Sequence, residues 1–328
     1  MSWNLVQLLS VATSVSMGLD CFYLNINLEG FKARRCTVSG SRPVTQWSRV
    51  RIPRDCLRAI ALPTALYYHI IDSFNLYDCL KKGLERRGFR ESKADTCVFM
   101  KKGMIILTYV DDCILIANKK EKLDQFIHSL AIGIEKFEFI DDGAIDKYLG
   151  VEIEQLKGNE FSLRQTFFIR RILAEINVKI GDYNQRDVPV TGTLLSRDEL
   201  GAKRKHDCSY RSAIGMLGYL QNSTRPDISM AVHQCARFNA NPMLCHKKAV
   251  KYIERYLISS QDKGIHYKPD MTRVLECYVD ADFAGCWSYG DHTNPECVLS
   301  RTSFVIMYAG CPLTWCSKLQ MEIDLSTT

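Results

Sequence analysis

The stretch Met104-Ile105-Ile106-Leu107-Thr108-Tyr109-Val110-Asp111-Asp112-Cys113-Ile114-Leu115-Ile116-Ala117 sets two adjacent carboxylates between two apolar, β-branched runs. Each run has the length and composition of a strand. Asp-Asp between them is a turn signal, so the stretch reads as a β-hairpin with carboxylates at its tip. Both strands are apolar at almost every position, which is the pattern of burial on both faces. Charges at the tip of a buried hairpin are costly unless a cation or hydrogen-bond donors meet them. Two chemistries fit. Either the aspartates cap backbone amides of an ordinary solvated turn, or they are hard oxygen ligands for a divalent cation that aligns phosphates.

The elements that must hold such a site have room to form. A chain of 328 residues is long enough for two domains with real cores. Apolar content of 46% and charged content of 24% are those of a soluble globular protein. The net charge of +6 is compatible with nucleic acid without demanding it. The 14 cysteines form no Cys-x-x-Cys pair and no zinc-finger spacing, so reduced thiols in an intracellular compartment are expected. Leu5 to Ala12 is apolar but short and lacks the basic start of a signal peptide. No stretch approaches the roughly 20 apolar residues of a membrane helix.

Residues 1 to 70 show no sustained period, and basic residues cluster at Lys32, Arg34, Arg35 and at Arg49, Arg51, Arg54, Arg58. A basic patch and a poorly folded or mistranslated segment both fit. From Tyr77 to Phe89 the pattern is helical, with Tyr77, Leu80, Leu84 and Phe89 on one face. A strand from Cys97 and a turn at Lys101-Lys102-Gly103 lead into the hairpin. A helix follows with Leu123, Phe126, Ile127 and Leu130 inward, then a strand pair over 150–163. The next helix is expected to carry Phe167, Phe168, Ile172, Leu173 and Ile176 on its apolar face. Residues 181 to 207 are polar and turn-rich and read as a linker. Three helices come next, marked by Tyr210, Ile214, Leu217 and Leu220, by Ile228, Val232, Cys235 and Phe238, and by Val250, Ile253 and Leu257. The third also carries Lys247, Lys248, Lys251 and Arg255, which fit either a phosphate-facing stripe or a solvated face. Strands are expected at 275–283, with Asp280 and Asp282, at 303–308 and at 313–317. Leu325-Ser326-Thr327-Thr328 reads as a helix N-cap.

Taken together, these segments resemble the pol polyprotein of copia-type LTR retrotransposons, from about Tyr77 to Thr328. The resemblance is carried by Gly88-Phe89-Arg90-Glu91-Ser92-Lys93-Ala94-Asp95, by Tyr109-Val110-Asp111-Asp112 and by Asp146-Lys147-Tyr148-Leu149-Gly150-Val151. Further on it is carried by Tyr210-Arg211-Ser212-Ala213-Ile214-Gly215, Thr224-Arg225-Pro226-Asp227-Ile228, Tyr278-Val279-Asp280-Ala281-Asp282-Phe283 and Ser300-Arg301-Thr302-Ser303.

The resemblance implies an α+β fold: a reverse-transcriptase palm with a helical thumb or connection, then an incomplete ribonuclease H-like α/β domain. The expected divisions are 1–75, a degenerate fingers or early palm remnant; 76–190, palm and start of thumb; 191–270, thumb or connection; and 271–328, ribonuclease H-like. The activity implied is RNA-directed DNA polymerase, using Mg²⁺ or Mn²⁺, a template-primer of RNA and DNA, and deoxynucleoside triphosphates. Asp111 and Asp112 would hold the metal, and Tyr109 and Val110 would set the hairpin against the primer end. A third carboxylate is needed so that two metal ions share ligands. Leu19-Asp20, followed by Tyr23-Leu24-Asn25 and Leu28-Glu29, is similar to that first motif, with shorter spacing, so Asp20 is the candidate. Asp280 matches the first ribonuclease H carboxylate, but its glutamate partner belongs beyond Thr328, so nuclease activity is expected to be absent. The competing reading is a non-catalytic remnant that at most binds nucleic acid. By family habit the protein belongs in cytoplasmic particles or the nucleus.

Overall fold

The computed structural model describes residues 49–51, 77–93, 95–109, 112–117, 119–132, 138–140, 146–157, 160–175, 186–190, 192, 195–196, 209–270, 272–285, 287 and 298–323. The expectations for residues 1–48, Asp20 among them, and for Ile176 lie outside these. Helices and antiparallel sheets mix throughout, so the fold is α+β. The chain divides into two compact units, residues 1–145 and 146–328.

In the first unit a short strand, β1 (Arg49–Arg51), pairs with a later one, and residues 77–86 form helix α1. Gly88, at φ 83°, ends this helix, and the Phe89 amide bonds back to the Leu84 carbonyl at 3.1 Å. A left-handed glycine just past the last turn is the usual way to satisfy orphan carbonyls. The helix therefore stops three residues short of Phe89. Strands β2 (Arg90–Glu91), β3 (Val98–Lys101), β4 (Met104–Tyr109) and β5 (Asp112–Ala117) form one antiparallel sheet in chain order. Helix α2 (Lys120–Ala131) and strand β6 (Glu138–Ile140), the partner of β1, complete the unit.

Cross-strand pairing sorts the hairpin side chains. Met104, Ile106, Cys113, Leu115 and Ala117 share one face with Phe99, against Leu80 and Leu84 of α1 and Leu123, Phe126 and Leu130 of α2. Ile105, Leu107, Ile114 and Ile116 point the other way and are equally buried. Each fully buried Leu or Ile contributes roughly 1.5–3 kcal/mol, so the hairpin is firmly anchored among the described residues of this unit. Glu91 ties β2 to α1, accepting from Tyr77 Oη at 2.8 Å and pairing with Lys81.

The second unit begins with strands β7 (Lys147–Tyr148), β8 (Val151–Gln155) and β9 (Phe161–Arg164). Leu149 and Gly150, at φ 48° and 77°, make the two-residue turn between β7 and β8. A leucine there costs about 1–2 kcal/mol, and the Tyr219 hydroxyl, which donates to the Leu149 carbonyl, holds the turn in place. Helices α3 (Thr166–Glu175), α4 (Tyr210–Ser223), α5 (Ser229–Ala236) and α6 (Leu244–Ser259) build the core of this unit. Their contacts are the expected ones: Tyr210, Ile214, Leu217, Leu220, Ile228, Val232, Cys235, Val250, Ile253 and Leu257 are all buried in one cluster. Phe167 departs from expectation. It is 61% exposed, under Lys147 Nζ at 4.9 Å from the ring centroid, while Ile169 takes the inward position. Lys247 departs too, being only 8% exposed on what reads as a basic stripe.

After α6 the chain returns to the β7–β9 sheet as strand β10 (Ile265–Tyr267), beside β9. Strands β11 (Leu275–Ala281), β12 (Arg301–Tyr308) and β13 (Cys311–Leu319) then form a separate antiparallel meander. Trp315 Nε1 donates to the Gln221 carbonyl at 2.9 Å, seating β13 on α4.

One polar clamp locks the helices. Arg225, 1% exposed, precedes a 3₁₀ turn at Pro226–Ile228. Its guanidinium donates to both Asp227 carboxylate oxygens at 2.7–2.9 Å, and to the Ser260 carbonyl and hydroxyl at 2.8 Å each. Tyr256 Oη donates to Asp227 Oδ2 at 2.6 Å. Burial pushes the Asp227 carboxyl up, but the Arg225 and Tyr256 hydrogen bonds and the Arg225 charge outweigh it, leaving it below the ordinary carboxylate value. Asp227 keeps one side in solvent, but Arg225, Tyr256 and Ser260 are buried, so losing Arg225 leaves a void and takes both donors from Ser260. Arg225→Ala is therefore expected to destabilise the chain by about 1–3 kcal/mol in urea unfolding followed by circular dichroism, with Arg225→Lys intermediate.

Candidate active site

The register of the hairpin refines where its carboxylates stand. Tyr109 pairs with Asp112 across the strands, so Asp112 is the first residue of β5 and not part of the turn. Val110 and Asp111, which connect the strands, lie outside the described residues, as does Asp20. Tyr109 and Asp112 are placed by their backbones. One step inward, Thr108 is buried; its amide and hydroxyl donate to the Cys97 carbonyl at 2.8 and 3.2 Å. The strand ends that flank the aspartates are thus fixed by ladder bonds, by Thr108 and by apolar packing on both faces.

By chemistry the donor set suits a hard divalent cation: adjacent carboxylates offer oxygen ligands and no nitrogen or sulfur. Among the described residues no group of three or more His, Cys, Asp or Glu side chains gathers where a metal could bind.

Asp280 and Asp282 sit on β11 and just after it, and they differ. Both are exposed; Asp280 lies opposite Ser303 on β12. Asp282 Oδ1 accepts the Arg301 amide at 2.6 Å, while its own amide donates to the Arg301 carbonyl at 3.0 Å. Asp282 therefore closes the start of the β11–β12 ladder. The sequence singles out Asp280 as the ribonuclease H-like carboxylate and assigns no role to Asp282. The pairing of Asp282 with the Ser300-Arg301 segment becomes visible only once the strands are in register.

A family profile described as reverse transcriptase (RNA-dependent DNA polymerase) matches residues 50–191, a span that contains the whole hairpin. The chain is 30% identical over 249 residues to the retrovirus-related Pol polyprotein from transposon RE1 of Arabidopsis thaliana, covering 74% of this chain and 16% of that protein. It is 31% identical over 261 residues to the corresponding polyprotein from transposon TNT 1-94 of Nicotiana tabacum, covering 75% and 18%. The chain belongs to the copia-type retrotransposon Pol family. A transposon Ty5-1 protein of Saccharomyces cerevisiae is 26% identical over 213 residues, 65% of each chain. The copia-type chain thus spans less than a fifth of the length of the two plant Pol polyproteins. Among its described residues no helix is long and apolar enough to cross a membrane.

The contrast between Asp280 and Asp282 can be measured. Asp282→Ala is expected to cost about 1–2 kcal/mol by leaving the Arg301 amide without its acceptor. Asp282→Asn, which keeps an acceptor oxygen, should cost less, and Asp280→Ala should stay within about 0.5 kcal/mol. Urea unfolding of the three variants checks the order.

Proposed function

We propose that this chain is the RNA-directed DNA polymerase part of a copia-type Pol protein, with nucleotidyl transfer centred on Asp111 and Asp112. The observation that carries this reading is the hairpin. Two strands buried on both faces hold the Tyr-Val-Asp-Asp segment at their joined ends, inside the span that matches the reverse-transcriptase profile. Residues 76–190 are then palm and start of thumb, 191–270 thumb or connection, and 271–328 a ribonuclease H-like portion whose first carboxylate is Asp280. The antiparallel meander β11–β12–β13 supports that last assignment.

Asp111 and Asp112 are the residues that would hold Mg²⁺ or Mn²⁺, with Asp20 as the third ligand. When bound, the metal supplies positive charge at the phosphates and lowers the cost of deprotonating the primer 3′-hydroxyl. The chain's part is positional. The buried strands fix both ends of the segment that carries the two carboxylates. Tyr109 and Val110 set the hairpin against the primer terminus. Template-primer and deoxynucleoside triphosphates are the substrates this arrangement takes.

Primer extension on an RNA template with a DNA primer, in Mg²⁺ and then Mn²⁺, tests the reading. Incorporation by the purified chain is expected to fall at least about 100-fold in Asp111→Asn, the scale of losing one charge-stabilising group. Incorporation that survives the substitution, or none from a folded chain, contradicts it.

A further inference from the structure

Helix α6 carries a side chain that no pairing accounts for. Glu254 is 0% exposed, and neither of its carboxyl oxygens has a hydrogen-bond partner. The charges that act on it come from its own helix: Lys251, Lys247 and Arg255. Across the interface, Cys235 of α5 faces it, and burial pushes that thiol up to about 12. Tyr210 of α4 is engaged with the Cys235 carbonyl at 2.8 Å, and Asp227 is committed to Arg225 and Tyr256. Neither carboxyl oxygen is met by a donor from the packed helices.

The same helix carries a strap. Ser259 Oγ donates to the Arg186 carbonyl at 2.9 Å, the Arg186 guanidinium lies 5.0 Å from the Tyr252 ring centroid, and His246 Nε2 bonds the Ser196 carbonyl at 3.0 Å. Val190 and Leu195 pack onto the helical core between these ties. Arg186 is thus tied to the C-terminal end of α6 and Ser196 to its N-terminal end, and Val190 and Leu195 line a cleft with Ala249, Tyr252 and Ile253.

We propose that α6 is a proton-gated helix: it is seated with Glu254 protonated, and ionisation of Glu254 loosens it together with the contacts that Arg186, Val190, Leu195 and Ser196 make with the helical core. An ionised carboxylate without donors is strongly disfavoured in an apolar interior. The protein escapes that cost by keeping the proton or by opening locally to water. Burial pushes the Glu254 carboxyl up to about 7, with the three cations offsetting part of the effect. In the unfolded chain the group titrates near 4.3. Between those two values the unfolded or opened state has released a proton that the closed state keeps. Rising pH therefore favours opening across that window, and the effect levels off above about 7. From pH 5 to pH 8 the opening constant rises roughly 50–100-fold from this one group.

The full chain tests this by hydrogen exchange read by mass spectrometry at pH 5 and pH 8, corrected for intrinsic exchange, on peptides covering 244–259 and 186–196. The wild type should lose protection in both peptides roughly 50–100-fold more than Glu254→Gln, in which the proton linkage is removed. Glu254→Leu should be insensitive in the same way. Equal pH dependence in wild type and both variants, or a strap peptide that does not follow α6, overturns the proposal. A carbon-13 titration of the Glu254 carboxyl in the unsubstituted chain needs no variant: a midpoint near 7 supports the gate, and one near 4.3 overturns it.

Discussion

Burial of β4 and β5 on both faces is the constraint on which the first unit depends. An amphipathic hairpin could slide or twist by one residue and still bury half its surface; this one cannot, because a one-residue slip sends each side chain to the opposite face of a pocket already fitted to another. Met104, Ile106 and Leu115 meet α1 and α2, while Ile105, Leu107 and Ile116 are buried on the opposite face. Register is therefore set by packing, and the strand ends where Tyr109 faces Asp112 are set with it. The polar residues tolerated at this end are those that a functional site would need, set on a scaffold with little freedom of its own.

In the second unit polar contacts do comparable work at the joints. Arg225 gathers Asp227, Tyr256 and Ser260, so the turn after α4 is fastened to the last turn of α6. Asp282 fastens the entry of β12 to the end of β11. Both contacts fall within segments that carry the likeness to copia-type Pol proteins, and both are architectural. A residue in a family-like motif is thus not by that fact a reacting group: Asp227 and Asp282 hold shape through their hydrogen bonds.

The hairpin and the buried faces of α4, α5 and α6 were legible in the sequence because their apolar periods are long and uninterrupted. Boundaries and the orientation of single residues were less so. Phe167 belongs by hydrophobicity in the core, yet the first turn of α3 faces outward and Ile169 fills the inward position. Lys247 reads as part of a charged face of α6, but that helix meets three others, and a stripe judged from one helix alone cannot register the neighbours that cover it. The stretch expected as a linker supplies Val190 and Leu195 to the helical core for the same reason: two apolar residues among polar ones carry no period. The Asp-Asp pair reads as a turn from composition, while strand pairing assigns Asp112 to β5.

The central claim is that the buried hairpin presents Asp111 and Asp112 together as ligands for a divalent cation. Manganese titration of the chain, with free Mn²⁺ counted by electron paramagnetic resonance, asks this without requiring catalysis. The account predicts saturable binding that is lost in both Asp111→Asn and Asp112→Asn, while the fold, read by circular dichroism, is kept. Binding of equal strength in the wild type and both variants would contradict it.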